Sequence, residues 1–146
     1  MQAAIGLAQL EKIEGFVAAR RRNFKLLYSA LLPLSDRLVL PEACCDSAPS
    51  WFGFPILCRV GVAREKIVRY LEGKGVQTRM LFAGNIVRQP CMEGVEYRVI
   101  GGLANTDTVM NDLFWIGVYP GLSVDTITYM SDMLKAAADP CLPGAT

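Results

Sequence analysis

The stretch Phe54-Pro55-Ile56-Leu57-Cys58-Arg59-Val60, followed by Ala63-Arg64-Glu65-Lys66-Ile67-Val68-Arg69-Tyr70-Leu71 and then Gly75-Val76-Gln77-Thr78-Arg79-Met80-Leu81, decides the fold. The first run is short and apolar but for Arg59, the pattern of a buried strand. In the second, Ile67, Tyr70 and Leu71 recur at helical spacing, so one face of a helix points inward. Gly73 and Gly75 stop that helix, and Val76–Leu81 begins a further strand. A change of period from strand to helix and back within the 28 residues 54–81 marks an α/β domain.

Outward from this unit the pattern holds. Toward the N-terminus, Gln2–Leu32 reads as helical, with Ile13, Phe16, Val17, Phe24, Leu27, Tyr28 and Leu31 on one face and Gly15 marking a bend or a break between two helices. Arg20, Arg21 and Arg22 fall on the opposite face, where a solvated surface is the expectation and a phosphate site the rival. Arg37–Leu40 reads as a strand closed by Pro41, and residues 43–50 as a loop rich in Cys, Ser, Asp and Pro. Toward the C-terminus, residues 82–105 form a long irregular stretch of the kind that is usually functional. Asn105-Thr106-Asp107 offers a helix start, and Phe114–Tyr119 is a buried strand ended by Pro120-Gly121. Ser123 caps a last helix whose inner face carries Ile127, Met130, Leu134 and Ala137; Asp125 and Lys135 suit its dipole. The expectation is a small α/β sandwich, a short sheet flanked by helices, with a loose tail over 140–146.

Composition sets the limits on function. The 146 residues suffice for one domain, and 52% apolar against 20% charged residues rules out disorder. A net charge of +1 gives no electrostatic case for nucleic acid or for an anionic membrane. The longest apolar run, Leu113–Tyr119, is far short of a membrane span. There is no histidine, which excludes Ser-His-Asp and Cys-His nucleophiles and mixed Cys/His zinc sites within this chain. Cys44, Cys45, Cys58, Cys91 and Cys141 are odd in number and show no CxxC spacing, so a reduced, cytoplasmic protein is expected and a metal or cluster held by them is not.

Chemistry concentrates in Gly75–Pro90, where a strand delivers Arg79 into a loop holding Phe82, Asn85, Arg88 and Gln89. Arginine offers a rigid fork of donors suited to phosphate or carboxylate, and an aromatic ring lies well against a base or sugar. On chemistry alone, a polar loop with two surface arginines fits equally well.

Four passages carry a resemblance: Met1-Gln2-Ala3-Ala4-Ile5-Gly6-Leu7-Ala8-Gln9-Leu10-Glu11-Lys12, Ser50-Trp51-Phe52-Gly53-Phe54-Pro55, Gly75–Pro90, and Phe114-Trp115-Ile116-Gly117-Val118-Tyr119-Pro120-Gly121. In this order they resemble the C-terminal part of CDP-4-keto-6-deoxy-D-glucose 3-dehydrases, members of the DegT/DnrJ/EryC1/StrS superfamily. The resemblance implies the small C-terminal domain of a fold type I, aspartate aminotransferase-like enzyme. Such enzymes use pyridoxamine phosphate (PMP, related to pyridoxal phosphate, PLP) to remove the C3 hydroxyl of a 4-keto sugar nucleotide. A histidine replaces the usual lysine, and a [2Fe-2S] cluster takes electrons from a reductase partner; the products lead to 3,6-dideoxyhexoses of lipopolysaccharide. It implies a homodimer, and places the cofactor domain, the histidine and the cluster cysteines ahead of Met1.

On that resemblance residues 1–32 connect to a missing large domain, 33–139 form the small α/β domain, and neither a cofactor nor a cluster is expected on this chain alone. The uncapped start, with Ala3–Ala8 apolar on nearly every side, agrees. Arg79, Phe82, Asn85, Arg88, Gln89, Trp51 and Phe52 are the candidates for contact with a CDP-sugar, and no catalytic residue is expected. Two alternatives stay open: a fragment of a sugar-nucleotide aminotransferase of the same superfamily, and a stand-alone binding or dimerisation domain.

Overall fold

A computed structural model describes residues 2–139. The order is α1 (Gln2–Leu10), α2 (Ile13–Leu31), β1 (Leu38–Val39), β2 (Gly53–Cys58), α3 (Arg64–Gly73), β3 (Thr78–Arg79), α4 (Ala104–Asp112), β4 (Leu113–Gly117) and α5 (Val124–Ala138). The four strands form one antiparallel sheet in the order β1-β2-β4-β3. Its centre is the β2·β4 ladder, which pairs Gly53 with Gly117, Pro55 with Trp115 and Leu57 with Leu113.

Strand alternation assigns the two faces. Phe54, Ile56 and Cys58 of β2 and Phe114 and Ile116 of β4 point to one side and are buried. Leu27 and Leu31 of α2, Ile67 and Leu71 of α3, and Ile127, Met130 and Leu134 of α5 close over them to form a single core. Each such side chain, fully buried, contributes roughly 1.5–3 kcal/mol. The sandwich expected from the sequence is therefore present, with its helical layer on one face. Pro55, Leu57, Leu113 and Trp115 look the other way and are only half-buried.

One polar side chain enters the helical layer. Asn23 is 1% exposed and donates to the carbonyls of Tyr119 (2.9 Å) and Leu122 (3.5 Å), so α2 satisfies the turn that leads into α5. At α5 the expected cap is present: Ser123 Oγ accepts from the Thr126 amide at 3.1 Å.

Several expectations need correction. The break in the first helical segment falls at Glu11–Lys12, not at Gly15, which lies inside α2 with open space where a side chain would stand. Ile13 and Phe16 are exposed, because the first turns of α2 carry no packing partner, and no residue of α1 is buried. The arginine run is not simply solvated: Arg21 donates to the Ala48 and Pro49 carbonyls (Pro49 at 3.4 Å) and Arg22 to Asn23 Oδ1, so the run ties loop 43–50 to α2. The strand from Val76 shrinks to Thr78–Arg79, since only these two residues find the edge of β4. The expected loose tail lies outside the described residues.

Candidate functional site

Trp115 organises the open face of the sheet. It pairs with Pro55 on one side and Arg79 on the other, so strand pairing alone sets these three residues in a row. Its ring lies over Gly53, where a Cβ would come within 2.5 Å of Trp115 Cε3. Phe52 meets the ring edge-on, with centroids 5.4 Å apart, and the indole N–H donates to the Met80 carbonyl at 3.2 Å. The result is an apolar shelf of Phe52 and Trp115, with the exposed Arg79 and Met80 at its margin. The Arg79 guanidinium has no hydrogen-bond or ion-pair partner among the described residues. It borders a pocket of ≈ 180 Å³ between α3 and β3, shared with Arg64, Glu65, Glu72 and Phe114.

Past Met80 the chain leaves the sheet through two left-handed residues. Phe82 has φ +49 and is 84% exposed, a strained backbone for an aromatic residue that buries almost nothing. Gly84 has φ +61, and a Cβ there would lie 2.6 Å from Met110 Cβ and 3.0 Å from Met110 Cα. The loop is thus pressed onto the backbone of α4, as only glycine allows.

Asp107, in the first turn of α4, fastens the rest. Its Oδ1 accepts from Asn85 Nδ2 at 2.6 Å and from Arg88 Nε at 3.2 Å, while Oδ2 accepts from Arg88 Nη2 at 3.0 Å. Asn85 is 2% exposed, and its Oδ1 accepts from the Val87 amide at 3.3 Å. Gln89 folds back to donate to the Ala83 carbonyl at 2.6 Å. The Arg88 guanidinium and, after it, the Asn85 amide hold the Asp107 carboxyl below the usual carboxylate range; the same pairing raises Arg88. Arg64 completes the support by donating to the Met110 carbonyl at 2.9 Å, joining α3 to the end of α4.

The sequence candidates therefore divide into three groups. Arg79 and Phe52 meet through Trp115, with the exposed Phe82 following three residues after Arg79. Asn85 and Arg88 are joined through Asp107 of α4, while Gln89 donates to the Ala83 carbonyl and reaches Met110 of α4. Trp51 stands apart, its ring stacked on Phe24 of α2 at 5.4 Å and 12°. Sequence reasoning missed Asp107, Met110 and Trp115. For Asp107 the signal was present, an acidic residue in a short helix facing an arginine-bearing loop, but it was absorbed into the helix-start pattern; α4 in fact begins one residue before Asn105 and has Leu103 at its cap position.

These residues do not make a cradle for a pyridoxal-type cofactor. In the pocket beside Arg79, Arg64 and Thr78 donate to the Met110 carbonyl and to Glu72 Oε1, so no group of free donors converges there on a phosphate. Nor do they fit an iron-sulfur cluster: among the described residues no three His, Cys, Asp or Glu side chains converge to hold a metal. Burial pushes the Cys58 thiol up to about 11, the wrong direction for a thiolate ligand. No helix among the described residues is long and apolar enough to cross a membrane.

Comparison with known proteins matches residues 1–135 to the model of the DegT/DnrJ/EryC1/StrS aminotransferase family. The chain is 51% identical over 132 residues to a lipopolysaccharide biosynthesis protein, RfbH, of Salmonella typhimurium, a match covering 89% of this chain and 30% of that protein. It is 44% identical to a dTDP-4-dehydro-2,6-dideoxy-D-glucose 3-dehydratase of Saccharopolyspora spinosa, covering 92% of this chain and 29% of the relative. Among solved structures, a GDP-4-keto-6-deoxymannose-3-dehydratase with a trapped PLP-glutamate geminal diamine superposes with a TM-score of 0.80 at 25% identity, over 90% of this chain and 34% of that one. The chain thus spans about a third of the length of the relatives it matches.

Proposed function

The chain belongs to the DegT/DnrJ/EryC1/StrS aminotransferase family, and from that membership we propose that it forms the small C-terminal domain of a sugar-nucleotide 3-dehydratase. The substrate of the complete enzyme is CDP-4-keto-6-deoxy-D-glucose, from which the C3 hydroxyl is removed on the way to 3,6-dideoxyhexoses of lipopolysaccharide. The pyridoxamine cofactor supplies the electronic chemistry when bound, and the protein's share is to bind and orient. Because the residues present form no cradle for it, the cofactor belongs to the large domain, as do the [2Fe-2S] cluster and the histidine that stands in for lysine. This chain alone is inactive; the complete enzyme is a cytoplasmic homodimer served by a reductase.

The part played by these residues is one wall of the substrate cleft. The observation that supports it is the unpaired Arg79 guanidinium at the margin of the Phe52–Trp115 shelf, with the exposed Phe82 ring following in the chain. An arginine with all its donors free suits a diphosphate, and flat apolar rings suit a base or a sugar face. Arg88 offers its remaining N–H groups, while Asn85 and Gln89 shape the loop.

The test is the DNA upstream of the Met1 codon. An in-frame continuation encoding a cofactor domain with histidine at the Schiff-base position, together with a cysteine cluster, is the expected result. A lysine at that position would shift the reading to an aminotransferase. A stop codon with a ribosome-binding site directly before Met1 would overturn it in favour of a stand-alone binding domain.

A further inference from the structure

We infer that Asp107 is the positioning residue of the 84–89 segment: one carboxylate in the first turn of α4 holds both Asn85 and Arg88 and so sets how the Arg88 guanidinium is presented. The ligand in question rests on the nucleotide-sugar reading above; the positioning itself does not.

Both Asp107 oxygens are engaged, one by Asn85 and Arg88 together and the other by Arg88 alone. Asn85 is clasped at both ends of its amide, by Asp107 and by the Val87 N–H, and is shielded from water. The backbone of 85–88 therefore cannot shift without breaking a hydrogen bond to a charged group, the stronger kind. Arginine carries five N–H donors in a fixed fork. Asp107 takes the Nε–Nη2 edge, which leaves Nη1 and the outer Nη2 hydrogen directed away from α4.

A division of labour follows from charge. The Arg88–Asp107 pair is electrically neutral, whereas the Arg79 guanidinium makes no ion pair among the described residues. Attraction of an anion from a distance, the part that salt screens, falls to Arg79. Arg88 contributes directed donors with little net charge, and hence orientation. Asp107 touches no ligand in this scheme and acts through Arg88.

The experiment measures amide hydrogen exchange in the intact chain for wild type, D107N and D107E, with CDP added in a parallel series at low and high salt. For D107N we expect exchange across 86–89 to rise on the order of tenfold, with the β2 and β4 amides unchanged. The D107E variant, which keeps the carboxylate, restores most of the protection. With CDP, R79A loses the salt-dependent part of binding, and D107N loses the protection that CDP confers on the Arg88 segment. Unchanged exchange across 86–89 in D107N would overturn the inference whatever CDP does. Loosening of the β2 and β4 amides to the same extent would also overturn it, by making Asp107 a residue of general stability. If wild type ignores CDP while D107N still frees 86–89, the positioning role stands and the reading that this wall holds a nucleotide by itself fails.

Discussion

Gly84→Ala is the most direct perturbation of the loop, and its cost can be worked from the geometry. A Cβ at φ +61 carries the left-handed penalty of roughly 1–2 kcal/mol. The same Cβ meets Met110 at its Cβ (2.6 Å) and Cα (3.0 Å), and the second of these is backbone that no rotamer change can move aside. Overpacking of that kind adds roughly 1–3 kcal/mol, so the expected loss is about 2–5 kcal/mol. A control separates the two contributions: Gly94 has φ +74 with nothing within 4 Å of its missing Cβ, so Gly94→Ala carries only the left-handed penalty. Urea unfolding followed by tryptophan fluorescence measures both variants, with slopes near 1–3 kcal/mol per molar. Gly84→Ala should unfold at clearly lower urea than Gly94→Ala. If the loop instead lifts off α4, the unfolding midpoint moves less and amide exchange across 84–89 accelerates. Equal midpoints for the two variants, with 84–89 still protected, would refute the claim that contact with Met110 shapes this loop.

Other expectations follow from single residues. Asn23→Ala takes the side-chain donor from the buried bond to the Leu122 carbonyl and one of two donors from the Tyr119 carbonyl, and should cost about 1–3 kcal/mol, read by the same unfolding assay; a loss below about 0.5 kcal/mol would mean that the Leu122 carbonyl finds water. Because Arg88 and Asn85 lower the Asp107 pKa, their help is fully present above the ordinary carboxylate range and is lost as pH falls through the lowered value. Exchange across 86–89, corrected for its intrinsic pH dependence, should therefore show an acid step that D107N abolishes. Cys58, buried with its thiol raised to about 11, should resist iodoacetamide at pH 8 while the exposed Cys44, Cys45 and Cys91 alkylate, as counted by peptide mass spectrometry. Alkylation of Cys58 at a similar rate in the folded chain would contradict its burial.

What the sequence made legible was whatever local pattern decides. The strand beginning at Phe54, the helical face of Ile67 and Leu71, and the Ser123 cap stand as read, although the strand ends at Cys58 and not at Val60, which turns out into solvent. Gly15 misled because a single glycine costs a helix only about 1 kcal/mol; α2 runs through it and begins directly after Lys12. Strand β3 came out shorter than its apolar pattern because its length depends on how far it meets β4, a tertiary fact. The candidate loop residues were visible as types, but not their division into free and engaged groups. That division turns on Asp107, some twenty positions downstream, and no spacing rule links a loop to a helix it meets only after folding.

The order of the sheet has a last consequence. Its two central strands are joined through an excursion that contains α3, β3, the 82–103 stretch and α4, and both ends of that excursion return to the same ladder, Leu57 opposite Leu113. Closing so distant a pair is the slow step that topology imposes on folding. The entropic cost of closure grows only with the logarithm of the length enclosed. Residues can therefore be added to or taken from the exposed 93–102 segment at small expense to the sheet. The exposed 93–102 segment is left free to change in length and sequence while the ladder beneath keeps its register.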